Sequence, residues 1–281
     1  MNHQFSALED IFLENAFITS DAYLQHANDC DRCDYHRSDA IFTRKRWRGN
    51  DLPSLVMASN QHAKRNLILG HSDQMTRVLT ILFLRSLGYR RIVGINVANF
   101  RDFAQPIPIG LTNYTNESEY HRLFGNNELL MQANKTDFLS ESNGLVYGCF
   151  STSTNSKERL PLANLLRESK HIFEGPSFSP EGRLSYLESL RRFAFTACPI
   201  GNGIDTHRLW EVLYMGGIPI IKKNAILESL LVDLPYVLVD DWKQITDDTF
   251  LRDSWEMLSS AKNYNFAKLK LNYWIDLLHS W

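Results

Sequence analysis

The sequence predicts an α/β protein built from two halves in tandem, each with a parallel sheet covered by helices. Short apolar runs of strand length alternate with longer stretches of helical spacing, which is typical of parallel sheets. A polar stretch at 133–144 interrupts this alternation, and a new apolar run begins at Leu145. We therefore predict an N-terminal domain at 1–140 and a C-terminal domain at 141–262.

In the first half, the predicted elements follow one another as strand, helix and strand. Residues 66–69 form a short apolar run, and residues 78–84 have the composition of a buried helix that stops at Gly88. Residues 91–96 predict the next strand. The residues before Leu52 are polar and show little periodicity, so we expect that segment to be irregular.

The second half repeats the alternation more cleanly. The predicted strands are 145–150, 193–198, 218–221 and 236–239, and the predicted helices are 179–192, one that starts near Thr206, and the last thirty or so residues. Two such halves leave a cleft between them. Ligands of open α/β sheets bind at the carboxyl ends of the strands, so the cleft is the expected site.

Composition and charge exclude several classes of protein. The chain has 281 residues, of which 44% are hydrophobic and 22% are charged, and this excludes predominant disorder. A formal net charge of -2 gives no general attraction for nucleic acid, so no nucleic-acid partner is predicted. No apolar run approaches the roughly 18 residues that a membrane span needs, and the first residues do not form a signal peptide. We therefore expect no integral membrane segment and a cytoplasmic location.

A glycine-containing loop between a predicted strand and a predicted helix carries the strongest functional signal. Gly201 and Gly203 allow close approach of the backbone, and the start of the following helix favours an anion. His207, Arg208 and Glu211 share one face of that helix because they are three and four residues apart. An arginine near the helix start suits a diphosphate, and a carboxylate one turn later suits ribose hydroxyls. The pattern predicts a nucleotide-diphosphate pocket; alternatively, the glycines form a simple turn, and Arg208 and Glu211 form a surface ion pair.

The same segment resembles a known family. The stretch from Phe195 to Ile221, with Gly-Asn-Gly-Ile-Asp-Thr-His-Arg-Leu-Trp-Glu at its centre, is similar to the donor-binding segment of exostosin-like glycosyltransferases and their bacterial and viral relatives. The resemblance extends to residues 70–73, 107–111, 150–159 and 234–242, so it touches most of the chain from about 67 to 255. The first sixty or so residues match nothing that we can name.

The resemblance implies a GT-B architecture, in which two Rossmann-like domains have parallel sheets that face each other across a cleft. It also implies that the final helix, within 263–281, joins the N-terminal domain. The implied activity is transfer of a sugar from a UDP- or GDP-linked donor to a hydroxyl of a glycan or glycoconjugate, without a metal or other cofactor. Inversion is expected with Asp73 as the base, since attack then comes from the face opposite the leaving group. A non-catalytic nucleotide-sugar-binding or glycan-binding protein of the same fold is the alternative.

The resemblance also implies roles for individual residues. It places the donor diphosphate near Asn155, Arg159, Asn202, Gly203, Asp205, Thr206, His207 and Arg208, and the ribose near Glu211. Two of these assignments have alternatives. Asp205 is otherwise a helix cap, and Arg159 is otherwise a charge on a helix surface. Trp210 and Tyr214, which are four residues apart on the same helix, indicate core packing rather than sugar stacking.

Sugar transfer needs a base that takes the proton of the acceptor hydroxyl. We choose Asp73, which follows the 66–69 strand and should lie at the cleft-facing end of the first domain. His71 is the second choice. Asp73 is otherwise the N-cap of the helix that follows. Tyr120 either contacts an acceptor or lies at the end of a surface strand.

Two further patterns are weaker. Cys30 and Cys33, with His26 and His36 nearby, supply four zinc-ligand types, but their spacing matches no zinc pattern that we can name, so no metal site is predicted. An NAD-dependent oxidoreductase would need a third glycine where Thr206 stands. That class is therefore disfavoured.

Overall fold

The computed structural model describes residues 8, 11–12, 17–37, 66–71, 73, 75–100, 103–137, 144–261 and 263–280. These residues form two parallel sheets, the first with four strands and the second with five, and helices accompany both sheets. The predicted α/β class is confirmed. None of the helices in these ranges combines the length and the apolar composition that crossing a membrane requires.

The first sheet has the simple strand order β1-β2-β3-β4, and all neighbours are parallel. Its strands are β1 (Cys33–Arg37), β2 (Asn66–Gly70), β3 (Arg91–Gly94) and β4 (Ala104–Pro106), and the helices of this half are α1 (Ser20–Asp29), α2 (Val78–Ser86), α3 (Glu119–Phe124) and α4 (Asn127–Ala133). Strands β2 and β3 are apolar and almost wholly buried, as their composition predicts. Both sequence predictions for this pair of strands are confirmed.

The expectation of an irregular segment before Leu52 is wrong for the described part of it, which holds α1 and β1. Helix α1 has a side-chain cap, since the Thr19 hydroxyl accepts a hydrogen bond from the amide of Ala22. Tyr23 and Ala27 are its buried face. Among the described strands, β1 lies at the edge of the sheet and pairs on one side only, so its polar residues are tolerated there.

The second sheet has the order β6-β5-β7-β8-β9, again with all neighbours parallel. Its strands are β5 (Val146–Cys149), β6 (Ile172–Glu174), β7 (Phe195–Ala197), β8 (Ile218–Lys222) and β9 (Val237–Val239), and its helices are α5 (Ser156–Glu168), α6 (Pro180–Arg192), α7 (His207–Tyr214), α8 (Ala225–Leu231) and α9 (Asp248–Ser260). The strand order reverses between β5 and β7. In open α/β sheets, ligands bind in the crevice outside the carboxyl ends of the strands at such a reversal.

The end of the chain returns to the first sheet. Two short 3-10 helices at Trp242–Thr246 and Phe266–Leu269 precede and follow α9, and the last helix is α10 (Leu271–His279). The side chains of Asn66 and Arg91 donate hydrogen bonds to the carbonyls of Leu278 and Leu277, at 3.3 and 3.0 Å. Because Asn66 and Arg91 begin β2 and β3, the end of α10 lies at the amino ends of these strands.

One apolar cluster connects the two halves. Phe17 packs edge-on against Tyr214 of α7, with ring centroids 5.2 Å apart, and the amide of Ile18 donates to the Tyr214 hydroxyl at 3.0 Å. The same hydroxyl donates to the carbonyl of Leu269 at 2.8 Å. Trp210 and Tyr214 are completely buried, so their assignment to the core is confirmed. These contacts fix α7 against the N-terminal half.

Candidate functional site

A cavity of about 400 Å³ opens between the carboxyl ends of the two sheets. The second sheet contributes the segments after β5, β6 and β7, and the first sheet contributes segments after β2 and β4. From the first half come Asp73, Ile109, Thr112, Tyr120 and Phe124; from the second come mainly Ser151, Thr154, Arg159, Phe178, residues 201–203 and residues 205–208. The cavity therefore includes the strand-order reversal, and its volume lies in the range of ordinary ligand pockets.

Arg208 lies in the first turn of α7 and reaches into this cavity. Its Nε donates to the carbonyl of Cys149, at the end of β5, over 2.7 Å. The guanidinium carbon lies 5.6 Å from the centre of the Phe150 ring. In the part of the chain that the structure describes, no carboxylate lies within 4.0 Å of its nitrogens. Arg208 thus presents a guanidinium without a described counter-charge to the cavity.

Arg159 projects from α5 toward the same ring, with its guanidinium carbon 5.9 Å from the Phe150 centroid. It is only 5% exposed, so the alternative of a surface helix charge is wrong. Its nitrogens donate to three backbone carbonyls, those of Ile200 (2.9 Å), Ser151 (3.3 Å) and Pro199 (3.3 Å). Burial, and next the nearby Arg208 charge, lower its pKa to about 10, which leaves it charged at neutral pH.

The glycine loop lies between these arginines and the N-terminal half. A Cβ on Gly201 would come within 2.8 Å of Arg159 Nη2, and a Cβ on Gly203 would come within 2.7 Å of the Asp73 carbonyl oxygen. Gly203 is thus required by a backbone contact within the protein, whatever the loop binds, whereas a side chain at Gly201 would displace the end of Arg159. Asn202, Gly203 and Thr206 line the cavity, and donor binding by them stays a prediction.

Thr206 is the N-cap residue of α7, and its side chain makes no capping hydrogen bond. The alternative that Asp205 is the cap is therefore wrong. Asp205 is 2% exposed, and its carboxylate accepts hydrogen bonds from the amide of Ile109 (2.7 Å) and the indole of Trp210 (2.8 and 3.0 Å). Burial raises its pKa to about 7. It joins the two halves, since Ile109 follows β4.

Asn96, just after β3, makes the same connection from the other side. Its Oδ1 accepts hydrogen bonds from the amides of Ile204 (2.9 Å) and Asp205 (2.8 Å). Sequence reasoning missed this residue because a single asparagine after a strand is common. The loop that starts α7 is thus held by contacts from both sides of the cleft.

Glu211 is buried, with 4% of its surface exposed, and both of its carboxylate oxygens have partners. Arg183 Nη2 of helix α6 donates to one oxygen at 2.5 Å, and the Tyr186 hydroxyl donates to the other at 2.8 Å. Burial by itself would raise the pKa of Glu211, but the Arg183 charge and these hydrogen bonds outweigh it and lower the pKa. The alternative of a surface ion pair with Arg208 is wrong, and contact with a ribose stays a prediction.

His207 lines the cavity at the start of α7. Its Nδ1 lies 2.8 Å from the carbonyl oxygen of Gly110, so Nδ1 carries a proton and donates. Burial lowers the pKa of His207. In the neutral ring, Nε2 is therefore a hydrogen-bond acceptor.

The two predicted base candidates lie in different surroundings. Asp73 is exposed and lines the cavity. It is not the N-cap of α2, which is Arg77, so that alternative is wrong. His71 is not among the described residues that line the cavity, and its Nδ1 contacts the Tyr35 hydroxyl while its Nε2 lies 2.7 Å from Asp21 Oδ1.

Asn155 is not among the described residues that line the cavity. It is the N-cap residue of α5, and its Nδ2 donates to Glu158 and to the carbonyl of Ile200, each at 3.3 Å. The carbonyl of Ile200 also accepts from Arg159. Asn155 therefore positions the loop that holds Arg159.

An aromatic wall, formed by Tyr120, Phe124 and Phe178, closes one side of the cavity. Tyr120 stacks on Phe124 with centroids 4.5 Å apart, and Phe178 meets Phe124 edge-on at 5.8 Å. Phe178 remains 71% exposed. Tyr120 lies on α3, not at a strand end. Sequence reasoning missed Phe124 and Phe178. The sequence signal for this wall was Phe178, an aromatic residue in the polar loop between Gly175 and Pro180.

No family model matches the chain, and no curated protein matches it. The resemblance to exostosin-like glycosyltransferases is therefore a prediction that the cavity can support only through its own chemistry.

Proposed function

We propose that the protein is a GT-B-type glycosyltransferase that moves a sugar from a nucleotide-diphosphate donor to a hydroxyl acceptor. The observation that carries this proposal is the pair of cations, Arg159 and Arg208, beside Phe150 at the strand-order reversal. Both are held by backbone carbonyls, and neither has a carboxylate within 4.0 Å among the described residues. Arg159 is buried and Arg208 is half-buried, and cations held partly away from water without a counter-charge favour an anionic ligand.

The remaining donors favour a diphosphate. Among the described residues, Arg208 donates a hydrogen bond through Nε alone, which leaves its two terminal nitrogens for a bidentate contact with phosphate oxygens. The start of α7 adds the positive end of its dipole. Arg159 contributes charge and holds the loop. Together these groups can stabilise a departing diphosphate, which is the task that a glycosyltransferase without a metal gives to its side chains.

The aromatic wall supports a donor with a planar group. Phe178 presents a largely exposed ring at the cavity, and Tyr120 and Phe124 stack beside it. Such rings pack well on a nucleobase or on the apolar face of a sugar. An inorganic anion alone would not need this surface.

In the proposed reaction, Asp73 accepts the proton of the acceptor hydroxyl, and the hydroxyl oxygen forms a bond to the anomeric carbon. The bond between that carbon and the diphosphate oxygen breaks, and its electron pair leaves with the diphosphate. Arg208 and Arg159 neutralise the charge that develops there. Attack from the face opposite the leaving group inverts the anomeric centre.

A thermal-shift screen with UDP, GDP, CDP and their sugars identifies the donor, since a ligand that binds the folded state raises its stability. With that donor, Asp73→Asn should leave the dissociation constant within about twofold and lower transfer by about 100-fold or more, because a positioned base contributes about 10²- to 10⁴-fold. Asp253→Asn, an exposed aspartate on α9, is the matched control.

The outcomes separate the rival functions. If no nucleotide binds, the proposal fails. If a donor binds and is neither hydrolysed nor transferred with any acceptor, the chain is a binding protein. Full transfer by Asp73→Asn would show that another group is the base.

A further inference from the structure

A second group of chemically reactive side chains lies far from the cavity. His26 and Cys30 end helix α1, Cys33 begins β1, and His279 ends α10. Cys33 is at the amino end of its strand, and the cavity is at the carboxyl ends of the strands. The cluster and the cavity therefore lie at opposite ends of the strands of the first sheet. Whatever this cluster does, it does not belong to the proposed transferase site.

The four potential ligand atoms lie within 4.8 Å of one another. The two histidine Nε2 atoms are 3.0 Å apart, and the two cysteine Sγ atoms are 3.3 Å apart. In a tetrahedral zinc site, bonds of about 2.3 Å to sulfur and about 2.0 to 2.1 Å to nitrogen put two sulfurs about 3.8 Å and two nitrogens about 3.4 Å apart. The observed separations need only small outward shifts to reach these values.

The local fold explains how the two cysteines meet. The amide of Cys33 donates to the carbonyl of Cys30 over 3.2 Å, which closes a tight turn and turns both thiols to one side. The sulfurs are free thiols, too far apart for the roughly 2.05 Å bond of a disulfide. A Cys-x-x-Cys turn is a common half of a zinc site.

The fourth ligand comes from the other end of the chain. His279 lies 253 positions from His26 and is brought to it by α10, whose end is fixed to β2 and β3 by Asn66 and Arg91. The sequence considered alone suggested His36, whose side chain lies outside the described part of the structure. The prediction of no metal site used a ligand set that lacked His279.

We propose that His26, Cys30, Cys33 and His279 bind one Zn²⁺ ion and that this ion fastens the last helix to the first. Two cysteines and two histidines form a complete structural zinc set, and with four protein ligands no position is open for catalysis. Both cysteines bind as thiolates, so binding releases two protons to solvent. The two thiolates balance the charge of the ion.

The test uses the full-length chain, purified without chelators and analysed for metal by mass spectrometry. We expect about one zinc per chain. Replacing zinc by Co²⁺ should give the thiolate charge-transfer band and the intense visible bands of a tetrahedral cobalt site, which a surface-bound ion would not give.

Two variants assign the ligands. His279 is exposed at the end of α10, so His279→Gln should not disturb folding. Cys30→Ser removes one of the two sulfur ligands. Each should weaken zinc binding at least about 100-fold, since losing even a group behind a ligand costs about 10- to 100-fold. His121→Gln, a histidine on α3 with its own hydrogen bond to Asn113, is the control and should keep its zinc.

Three results would overturn the proposal: a folded protein that holds neither zinc nor tetrahedral cobalt, zinc binding unchanged in His279→Gln and Cys30→Ser, or a Cys30–Cys33 disulfide in place of the metal. These readouts do not depend on sugar transfer, so failure of the transferase proposal leaves the zinc test intact.

Discussion

The middle and the start of helix α7 differ in how their charged side chains are partnered. At the middle, the buried Glu211 carboxylate meets the buried Arg183 guanidinium, and Tyr186 completes the set. At the start, the described partners of Asp205 are neutral donors, and the described partner of Arg208 is a backbone carbonyl. Opposite charges are thus matched within the protein at the middle and unmatched at the start.

Matched and unmatched charges have different physical consequences. In a matched pair, each side chain neutralises the charge of the other and bonds to it. Such a pair is compatible with burial as long as both partners are present. An unmatched cation beside a cavity can attract an anionic ligand, because no internal carboxylate neutralises it. An unmatched buried carboxylate has a raised pKa and stays protonated up to a higher pH. We therefore expect changes at the middle to alter stability, changes at Arg208 to alter ligand affinity, and changes at Asp205 to alter the pH dependence of stability.

The largest effect should come from breaking the matched pair. Arg183→Met leaves Glu211 buried without its cation, and we expect it to lower the free energy of unfolding by about 3 to 5 kcal/mol. Urea denaturation measures this. Arg192→Met is the control, because Arg192 lies on the same helix in an exposed pair with Glu188, where about 0.5 kcal/mol is expected.

The double variant Arg183→Met with Glu211→Gln should regain part of the loss, since no uncompensated charge is then buried. A loss below about 1 kcal/mol in Arg183→Met would contradict the role of the matched pair in folding.

The next effect is at the unmatched cation. Arg208→Ala should raise the dissociation constant for a nucleoside diphosphate about 30-fold, or about 2 kcal/mol, because a charge-assisted bidentate contact is lost. Its stability should change little. Calorimetric titration measures the affinity, and Arg122→Ala, an exposed arginine on α3, is the control. Equal affinity in wild type and Arg208→Ala would remove the main support for the anion site.

The elements that the sequence predicts well are those whose signal is local. Strands β2 and β8 are short apolar runs buried on both faces, so composition alone reveals them. Strand β1 has the polar sequence Cys-Asp-Tyr-His-Arg, and strand β6 has three partly exposed residues. Both are edge strands, and their pairing with a neighbour, rather than their own composition, makes them strands.

The site divides in the same way. The loop after β7 and the cavity-facing turn of α7 follow from spacing, so Arg208 and its neighbours were predicted. The partner of Glu211 was not, because Arg183 lies on another helix and nothing in its local sequence distinguishes it from the other arginines of α6. His279 is the extreme case, since its partners lie near the opposite end of the chain.

The last effect concerns the unmatched carboxylate, and it is a slope against pH rather than a loss at one pH. Burial raises the pKa of Asp205 to about 7 from 3.8, so between about pH 4 and pH 7 the folded state keeps a proton that the unfolded chain has lost. Stability from this group is complete below pH 4 and falls as pH rises toward 7, with a slope of up to about 1.4 kcal/mol per pH unit.

Asp205→Asn removes this titration while keeping a carbonyl oxygen for Ile109 or Trp210. The free energies of unfolding of the wild type and of Asp205→Asn, measured by urea denaturation at several pH values, should therefore have different slopes against pH between pH 4 and 7. All other titrating groups are common to the two proteins. Parallel profiles would mean that Asp205 is ionised throughout and that some cation compensates it. The start of α7 would then be as well matched in charge as its middle, and Arg208, three residues along the chain, would be the first candidate for that cation.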